Sequence, residues 1–511
     1  MISSAGFVEL VGAGPGDPGL ITVRGRAALQ QAEVLIYDQL VHPSLLELVP
    51  SSAERIFAGK RAGRLVYNQD QINSLLVEKA RLGKRVVRLK GGDPLVFGRG
   101  AEEAAFLRMQ GIPYRIIPGV TAAVGVSGYT ELPITHRGAA SAVALVTGHD
   151  DPRQPGGRVD WPALAKFPGT IVVYMGVAHL KEICDVLMHA GMSPSTPAAL
   201  VERGTWPSQR SVSGTLANLP DQAALHHLHP PALLIIGSVV NLRPDRSWFE
   251  SLPLFGQRIL VTRPAEDSLA SAEQLEALGA EVHHAPTVQI QPLEDFRPLD
   301  QVLARIKSFD WLVFTSRHGV DAFMGRLFER GQDVRALGHL QLATIGPGTA
   351  DQLKRWHLRA DLVPDQFLSE GLADALKPRV QGKRVLLARA NRGRTVLRDE
   401  LEPLAQVEQV AVYRNFDAPE LPPAVMQALE AGEIDWITLT SSAITERLAA
   451  LLTPRARARI GQETKLVSIS PITTEAAHKQ GMPVAAEASE YTWNGVVRAV
   501  CEAVGRQASS R

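Results

Sequence analysis

Short apolar, β-branched runs alternate with amphipathic stretches along almost the whole chain. In the first half, residues 8–11, 33–37, 85–89, 142–147, 170–174, 197–201 and 233–236 have strand character. Residues 69–82 and 179–189 place apolar side chains at helical spacing, and 209–215 looks like a short strand entering a helix. Such alternation predicts an α/β fold rather than separate all-α and all-β regions. The texture changes after residue 240. Residues 241–257 (NLRPDRSWFESLPLFGQ) carry two prolines and no clear period, which predicts a linker between domains at 6–249 and 256–505.

The second half repeats itself. Gly256-Gln257-Arg258-Ile259-Leu260-Val261-Thr262-Arg263 is echoed by Gly382-Lys383-Arg384-Val385-Leu386-Leu387-Ala388-Arg389. Asp310-Trp311 to Thr315-Ser316 is echoed by Asp435-Trp436 to Thr440-Ser441, and Ala343 to Thr349 by Val467 to Thr473. The offsets are 126, 125 and 124 residues, so the pattern is an internal duplication. Two similar α/β subdomains are expected, each with Thr-Ser at a strand end and a proline turn before a helix. Ser470 stands where the first copy has Gly346. Such pairs usually bind a ligand in the cleft between them; duplication for folding alone is the alternative.

Composition narrows the function classes. The chain has 511 residues, 21% charged and 45% hydrophobic, with a net charge of +1. That length argues for more than one domain. That balance carries no nucleic-acid or membrane-surface footprint. The two cysteines, Cys184 and Cys501, lie far apart and predict a reducing, cytoplasmic setting rather than a disulfide scaffold. No signal peptide is expected at the N-terminus, and the apolar run 231–240 is too short to span a bilayer. His226, His227 and His229 lack a cysteine or carboxylate at ligand spacing and read as a solvated turn, so no metal site is expected.

Several loops carry candidate chemistry. Val8 to Gly19 looks at first like a dinucleotide fingerprint, with Asp38 closing the next strand. Asp17 replaces the third glycine, however, and Pro15 and Pro18 remove donors that a pyrophosphate needs, so a nicotinamide oxidoreductase is disfavoured. Residues 91–103 (GGDPLVFGRGAEE) follow a strand and precede a helix, a place where free backbone N–H groups let a ligand approach closely. A lone Gly-Gly-Asp-Pro is no more than a tight connection. Here it keeps company with Gly59-Lys60-Arg61, Ile117-Pro118-Gly119-Val120-Thr121-Ala122, Leu132 to Arg137, Val146 to His149, Tyr174-Met175-Gly176 and Leu200 to Thr205.

In that order and spacing these motifs resemble the tetrapyrrole methylase family, most closely its uroporphyrinogen-III C-methyltransferases, across about 6–249. The resemblance implies a two-lobed α/β methylase, usually a homodimer, using S-adenosylmethionine and releasing S-adenosylhomocysteine. Carried over motif by motif, Pro15, Gly91, Gly92, Asp93, Val96, Thr121, Ala122, Met175 and Gly204 line the cofactor site, and Asp38 and Lys60 form the acid/base pair. Without the resemblance, Asp38 reads equally as a cap on the turn that follows it and Lys60 as a surface lysine. Arg61, Arg64, Arg99 and Arg137 sit in or beside the motif loops and could pair with a substrate rich in carboxylates. Taken singly, each arginine reads as a surface ion pair. Longer relatives carry an extra NAD-binding module; with the methylase pattern starting at once, dehydrogenase and ferrochelatase activities are not expected.

The duplicated half resembles the uroporphyrinogen-III synthase family across about 256–505. The carrying motifs are Thr262-Arg263-Pro264, Phe314-Thr315-Ser316, Pro364 to Gly371, Val412-Tyr413-Arg414 and Ser470 to Ala477. This implies cofactor-free cyclisation of hydroxymethylbilane with inversion of one ring, with Tyr413 as acid and Arg263, Thr315, Ser316, Ser441, Thr473 and Thr474 as substrate contacts. Tyr413 reads otherwise as a half-buried strand residue, and the Thr-Ser pairs serve as helix N-caps in either case. Together the resemblances imply two consecutive steps toward sirohaem or cobalamin: uroporphyrinogen III is formed, then methylated at C2 and C7 to precorrin-2. The rivals are a methylase for a different corrin intermediate and a methyltransferase whose second half is a non-catalytic tetrapyrrole-binding module.

Overall fold

The computed structural model describes residues 6–61, 64–154 and 157–508, with the side chains of residues 60, 61, 64, 65, 265–269, 507 and 508 outside that description. The chain divides into two compact units, Met1–Gly256 and Gln257–Arg511.

The first unit holds strands β1 (Phe7–Gly12), β2 (Val34–Tyr37), β3 (Glu54–Phe57), β4 (Lys60–Arg61), β5 (Arg64–Leu65), β6 (Arg85–Lys90), β7 (Tyr114–Ile117), β8 (Val143–Thr147), β9 (Thr170–Tyr174), β10 (Pro197–Glu202), β11 (Arg210–Thr215) and β12 (Ala232–Ile236). They form two five-stranded sheets, ordered β3-β2-β6-β1-β7 and β11-β10-β12-β9-β8, with β4 and β5 as a separate hairpin. The first sheet is wholly parallel. Its central strands are covered on both faces, which is why Val34-Leu35-Ile36 and Val86-Val87 are apolar without alternation. The second sheet is mixed: β8 and β9 run parallel, and the other pairs are antiparallel.

The stretch read as a linker is tied down within the first unit. Phe249 and Leu254 are buried, Arg243 pairs with Glu250 at 2.7 Å, and the Trp248 backbone N–H donates to Glu131 at 2.7 Å. Its aromatic residues, not its prolines, decide its behaviour.

The second unit holds β13 (Arg258–Val261), β14 (Glu281–His284), β15 (Val288–Gln291), β16 (Trp311–Phe314), β17 (Gln341–Thr344), β18 (Arg384–Ala390), β19 (Gln406–Asp417), β20 (Trp436–Leu439), β21 (Lys465–Ser468) and β22 (Ala486–Glu487). Its two sheets run β14-β13-β20-β21-β22 and β15-β19-β18-β16-β17. The duplication therefore does not fold as two successive halves. The first strand of copy one, β13, pairs with β20 of copy two, and the first strand of copy two, β18, pairs with β16 of copy one. Even the register repeats: Ile259 faces Trp436, and Val385 faces Trp311. Two adjacent crossings join the subdomains, where β15 pairs antiparallel with β19 and the Ala418 N–H donates to the Thr287 carbonyl at 2.9 Å.

Each subdomain carries the expected strand-end caps. Ser316 accepts from the Gly319 N–H and Ser441 from the Ile444 N–H. Gly346 and Ser470 both have extended backbone (φ −176° and −163°), so the serine fits without strain at a turn where the first copy has glycine.

Candidate active sites

The carboxyl ends of β1 and β6 lie side by side at the centre of the first sheet, where the strand order lets loops part and a ligand enter. The loops are bonded together there. Gly14 and Gly92 exchange two backbone hydrogen bonds of 3.2 and 2.7 Å, both with positive φ (+82° and +67°), a conformation that side chains resist. A Cβ on Gly119 would lie 2.2 Å from the Gly92 carbonyl oxygen. Asp93 accepts from the Leu95 N–H at 2.8 Å and from the Gly119 N–H at 3.0 Å. The predicted cofactor residue Asp93 thus ties two loops together.

The second sheet supplies the other wall. Tyr174, ending β9, shares a 2.7 Å hydrogen bond with the Thr121 hydroxyl and accepts from the Ala123 N–H at 2.9 Å. The next residue, Met175, has φ +56° and is 49% exposed. Phe97, with φ +54°, packs its ring 4.8 Å from that of Tyr174. Arg203 and Thr205, also at positive φ, flank Gly204. Non-glycine residues held there cost energy and gather where function over-determines the backbone. Pro15, Gly91, Gly92, Asp93, Val96, Thr121, Ala122, Met175 and Gly204 lie on these loops.

Asp17, which stands where a dinucleotide fingerprint has its third glycine, acts as a clasp. Its carboxylate accepts from the Gly19 N–H at 2.6 Å and from the Tyr129 hydroxyl, and its N–H donates to the Thr205 hydroxyl at 3.1 Å. Burial and the Asp17 charge together push the Tyr129 hydroxyl well above the usual tyrosine range.

Asp38 follows β2, and its side chain does not cap the next turn. Arg88 Nη2 donates to Asp38 Oδ1 at 2.5 Å. Arg88 Nε also reaches Glu103 Oε1 at 3.2 Å, and Lys90 Nζ reaches the same oxygen at 2.7 Å. Gln69 donates to it as well, at 3.2 Å. The period of two in β6 puts Arg88 and Lys90 on one face, toward the helix Gly100–Met109 that carries Glu103. All three charged side chains are buried. Burial works against the Arg88 charge, but Asp38 and Glu103 outweigh it and hold the guanidinium above its ordinary value. Burial, then Arg88, pulls the Lys90 ammonium below its own, with Glu103 and Asp38 opposing. The second Glu103 oxygen is buried without a hydrogen-bond partner.

The side chains of Lys60, Arg61 and Arg64 lie outside the described residues; their backbone forms the hairpin β4–β5. Arg99 is held by Glu102 in an exposed two-pronged pair of 3.0 and 2.6 Å, and Arg137 is exposed in the turn after β7 and its helix. His226 and His227 close a helix whose last carbonyls accept from Arg210. Among the described residues no group of three potential metal ligands converges.

In the second unit the predicted residues divide between the subdomains. Arg263, Ser441, Thr473 and Thr474 follow strands of one sheet, and Thr315, Ser316 and Tyr413 belong to the other. Tyr413 is buried, with its hydroxyl 3.0 Å from the Ser316 hydroxyl. Arg263 lies over the Trp493 ring and donates to Ser271 at 3.2 Å. Thr473 bonds Ser470, and Thr474 bonds Ser468 and Glu487.

Residues 8–220 match the family described as Tetrapyrrole (Corrin/Porphyrin) Methylases, and residues 270–498 match that described as Uroporphyrinogen-III synthase HemD. The porphyrin biosynthesis protein HemD of Ruminiclostridium josui is 38% identical over 87% of this chain and 88% of its own. The chain belongs to both families. This fused enzyme of tetrapyrrole biosynthesis has a methyltransferase half and a synthase half. The uroporphyrinogen-III C-methyltransferase of Bacillus subtilis is 40% identical to it over 71% of the chain and 75% of its own length. A solved structure, the uroporphyrin-III C-methyl transferase from Thermus thermophilus complexed with S-adenyl homocysteine, is 41% identical, covering 46% of this chain and 100% of its own at a TM-score of 0.40.

Sequence reasoning missed Arg88, Lys90 and Glu103. The available signal was a pair of basic residues two apart inside a strand that is otherwise apolar, followed by two glutamates in the next helix.

Proposed function

We propose that the synthase half closes hydroxymethylbilane to uroporphyrinogen III and that the methyltransferase half methylates that product at C2 and C7, giving precorrin-2. The observation that carries the methyltransferase reading is the set of interlocked loops, with Asp38 held by a buried arginine near their base. S-adenosylmethionine is the methyl donor, and its sulfonium supplies an already activated methyl group. The residues present suit it: tightly turned glycine backbone for close approach, and the exposed apolar side chains of Leu95, Phe97 and Met175 beside it. Pro15, Gly91, Gly92, Asp93, Val96, Thr121, Ala122, Met175 and Gly204 hold the donor. The chain's main task is alignment and exclusion of water.

After methylation the substrate carbon must lose a proton, and Asp38 is the base, oriented by Arg88. Lys60 is its partner in proton transfer, and Arg61, Arg64, Arg99 and Arg137 meet substrate carboxylates. In the synthase half, Tyr413 assists loss of the terminal hydroxyl, with Ser316 bonded to it. Arg263, Thr315, Ser441, Thr473 and Thr474 hold the folded substrate from the two subdomains. No cofactor enters this half. The free cysteines fit a cytoplasmic enzyme, and exposed Val124 and Leu145 fit a homodimer through the methyltransferase half.

The test is a coupled anaerobic reaction of the full chain with hydroxymethylbilane and S-adenosylmethionine, read by product mass and isomer. A dimethylated type III product is expected. Unmethylated type III product would remove the methyltransferase reading. Type I products alone would mean spontaneous closure and remove the synthase reading.

A further inference from the structure

The run Arg389-Ala390-Asn391-Arg392-Gly393-Arg394 ends β18, at the carboxyl edge of its parallel strands. Two of its arginines are exposed and satisfied: Arg392 pairs with Asp417, and Arg394 with Glu370 at 2.6 Å. Arg389 is different. It is 8% exposed, yet no carboxylate among the described residues lies within ion-pair distance. Its one hydrogen bond runs from Nη1 to Gln409 Oε1 at 3.4 Å. Room for the guanidinium is made by Gly393: a Cβ there would lie 2.5 Å from Arg389 Nη2, and φ is +147°. Burial pulls the guanidinium below its ordinary value, with Tyr413 opposing and Arg394 adding to the push.

Burying a cation without an anion is costly, so chains keep such a group where a ligand brings the countercharge. The surroundings fit that account. Asn391 N–H donates to the Tyr413 carbonyl at 3.0 Å, which sets Tyr413 beside the end of β18, and the Tyr413 hydroxyl meets that of Ser316. A planar guanidinium is suited to one carboxylate, held through two parallel N–H bonds. The repeat partner Arg263 has other surroundings, Trp493 and Ser271, so the duplication alone does not explain the site.

We propose that Arg389, at the carboxyl end of β18, anchors one carboxylate of the linear tetrapyrrole in the synthase half. This rests on the synthase reading above. The test uses the full chain, with Arg389→Gln and Arg389→Lys, and measures KM and kcat for hydroxymethylbilane, the type III to type I ratio and Tm. Arg389→Gln is expected to raise KM about tenfold or more and to increase the share of type I product, with Tm unchanged or higher. Arg389→Lys keeps the charge without the fork and is expected to fall between, which also decides the matter should Arg389→Gln fail to fold. Methylation of added uroporphyrinogen III is expected to be unaffected in both. Variants with wild-type KM, or with a lowered Tm and no change in KM, would make Arg389 a structural residue and overturn the proposal. A wild-type chain that makes no type III isomer would instead remove the synthase reading, and the anchor with it.

Discussion

Arg88 Nη2 lies 2.5 Å from Asp38 Oδ1, across the neighbouring parallel strands β2 and β6. The guanidinium is buried and the carboxylate is partly open, so a fixed cation aims a reachable carboxylate. Replacing Asp38 by Asn keeps the shape and removes the proposed base. Methyl transfer by Asp38→Asn is expected to slow about 100-fold or more in kcat. Arg88→Met is expected to lower kcat comparably, with S-adenosylhomocysteine binding preserved. Calorimetry beside single-turnover kinetics separates the two quantities. Retained turnover in Asp38→Asn would remove Asp38 from the reaction.

Glu103 is the only acidic partner of Lys90 among the described residues and one of two for Arg88. Glu103→Leu would leave two buried cations to share Asp38. A loss of about 3–5 kcal/mol is expected in the unfolding of the first unit, because an uncompensated buried charge costs more than the pair contributed. Glu103→Gln is expected to cost less. Denaturant titration followed by Trp fluorescence measures both; equal midpoints for Glu103→Leu and wild type would contradict this account.

Gly119 has no room for a side chain, since the atom it would meet is the Gly92 backbone oxygen. Gly119→Ala must push apart the loops that Asp93 ties together. A destabilisation of about 1–3 kcal/mol is expected, with a larger loss in cofactor affinity than in stability. Isothermal titration with S-adenosylhomocysteine reports the affinity, and unchanged binding would show that the loops yield freely.

His284, ending β14, is held below the ordinary histidine value by burial, and so is its neighbour His283, against the pull of Glu281. With the native value depressed, the unfolded chain binds protons more readily, so stability is complete above about pH 6.5 and declines as the pH falls toward the native value. The urea midpoint of the second unit is expected to drop between pH 7.5 and pH 5.5. His284→Gln is expected to drop less. Parallel curves for the two proteins would assign the effect to other groups.

The strands of the first unit were legible because buried parallel strands need apolar residues on both faces, as in Val34-Leu35-Ile36. The loops were legible because Gly14 and Gly92 adopt backbone that other residues resist. Arg88 and Lys90 were hidden because a charged residue in a strand normally signals a solvated face. Only the three-dimensional meeting with Glu103, on the following helix, makes them an interior pair. The repeat in the second half announced two copies, but nothing in a periodic pattern says which copy's strands share a sheet. That choice is made by packing between segments far apart in sequence. The stretch 241–257 misled because prolines mark breaks in periodicity, whereas Phe249 and Leu254 decide what the segment packs against.

The exchanged strands also set the order in which the second unit can be completed during synthesis. β13 and β14 leave the ribosome early, but β20, the neighbour that β13 needs on its other side, emerges about 175 residues after β13. Until then the newborn chain carries an open strand edge flanked by uncovered apolar side chains, the kind of surface that recruits chaperones or sticks to other nascent chains. The sheet built on β16, β17, β18 and β19 can close first, since all its parallel strands have by then been made. It stands as a finished platform on which the earliest and latest segments are finally joined, so lesions in β20 or β21 strand residues that were translated long before them.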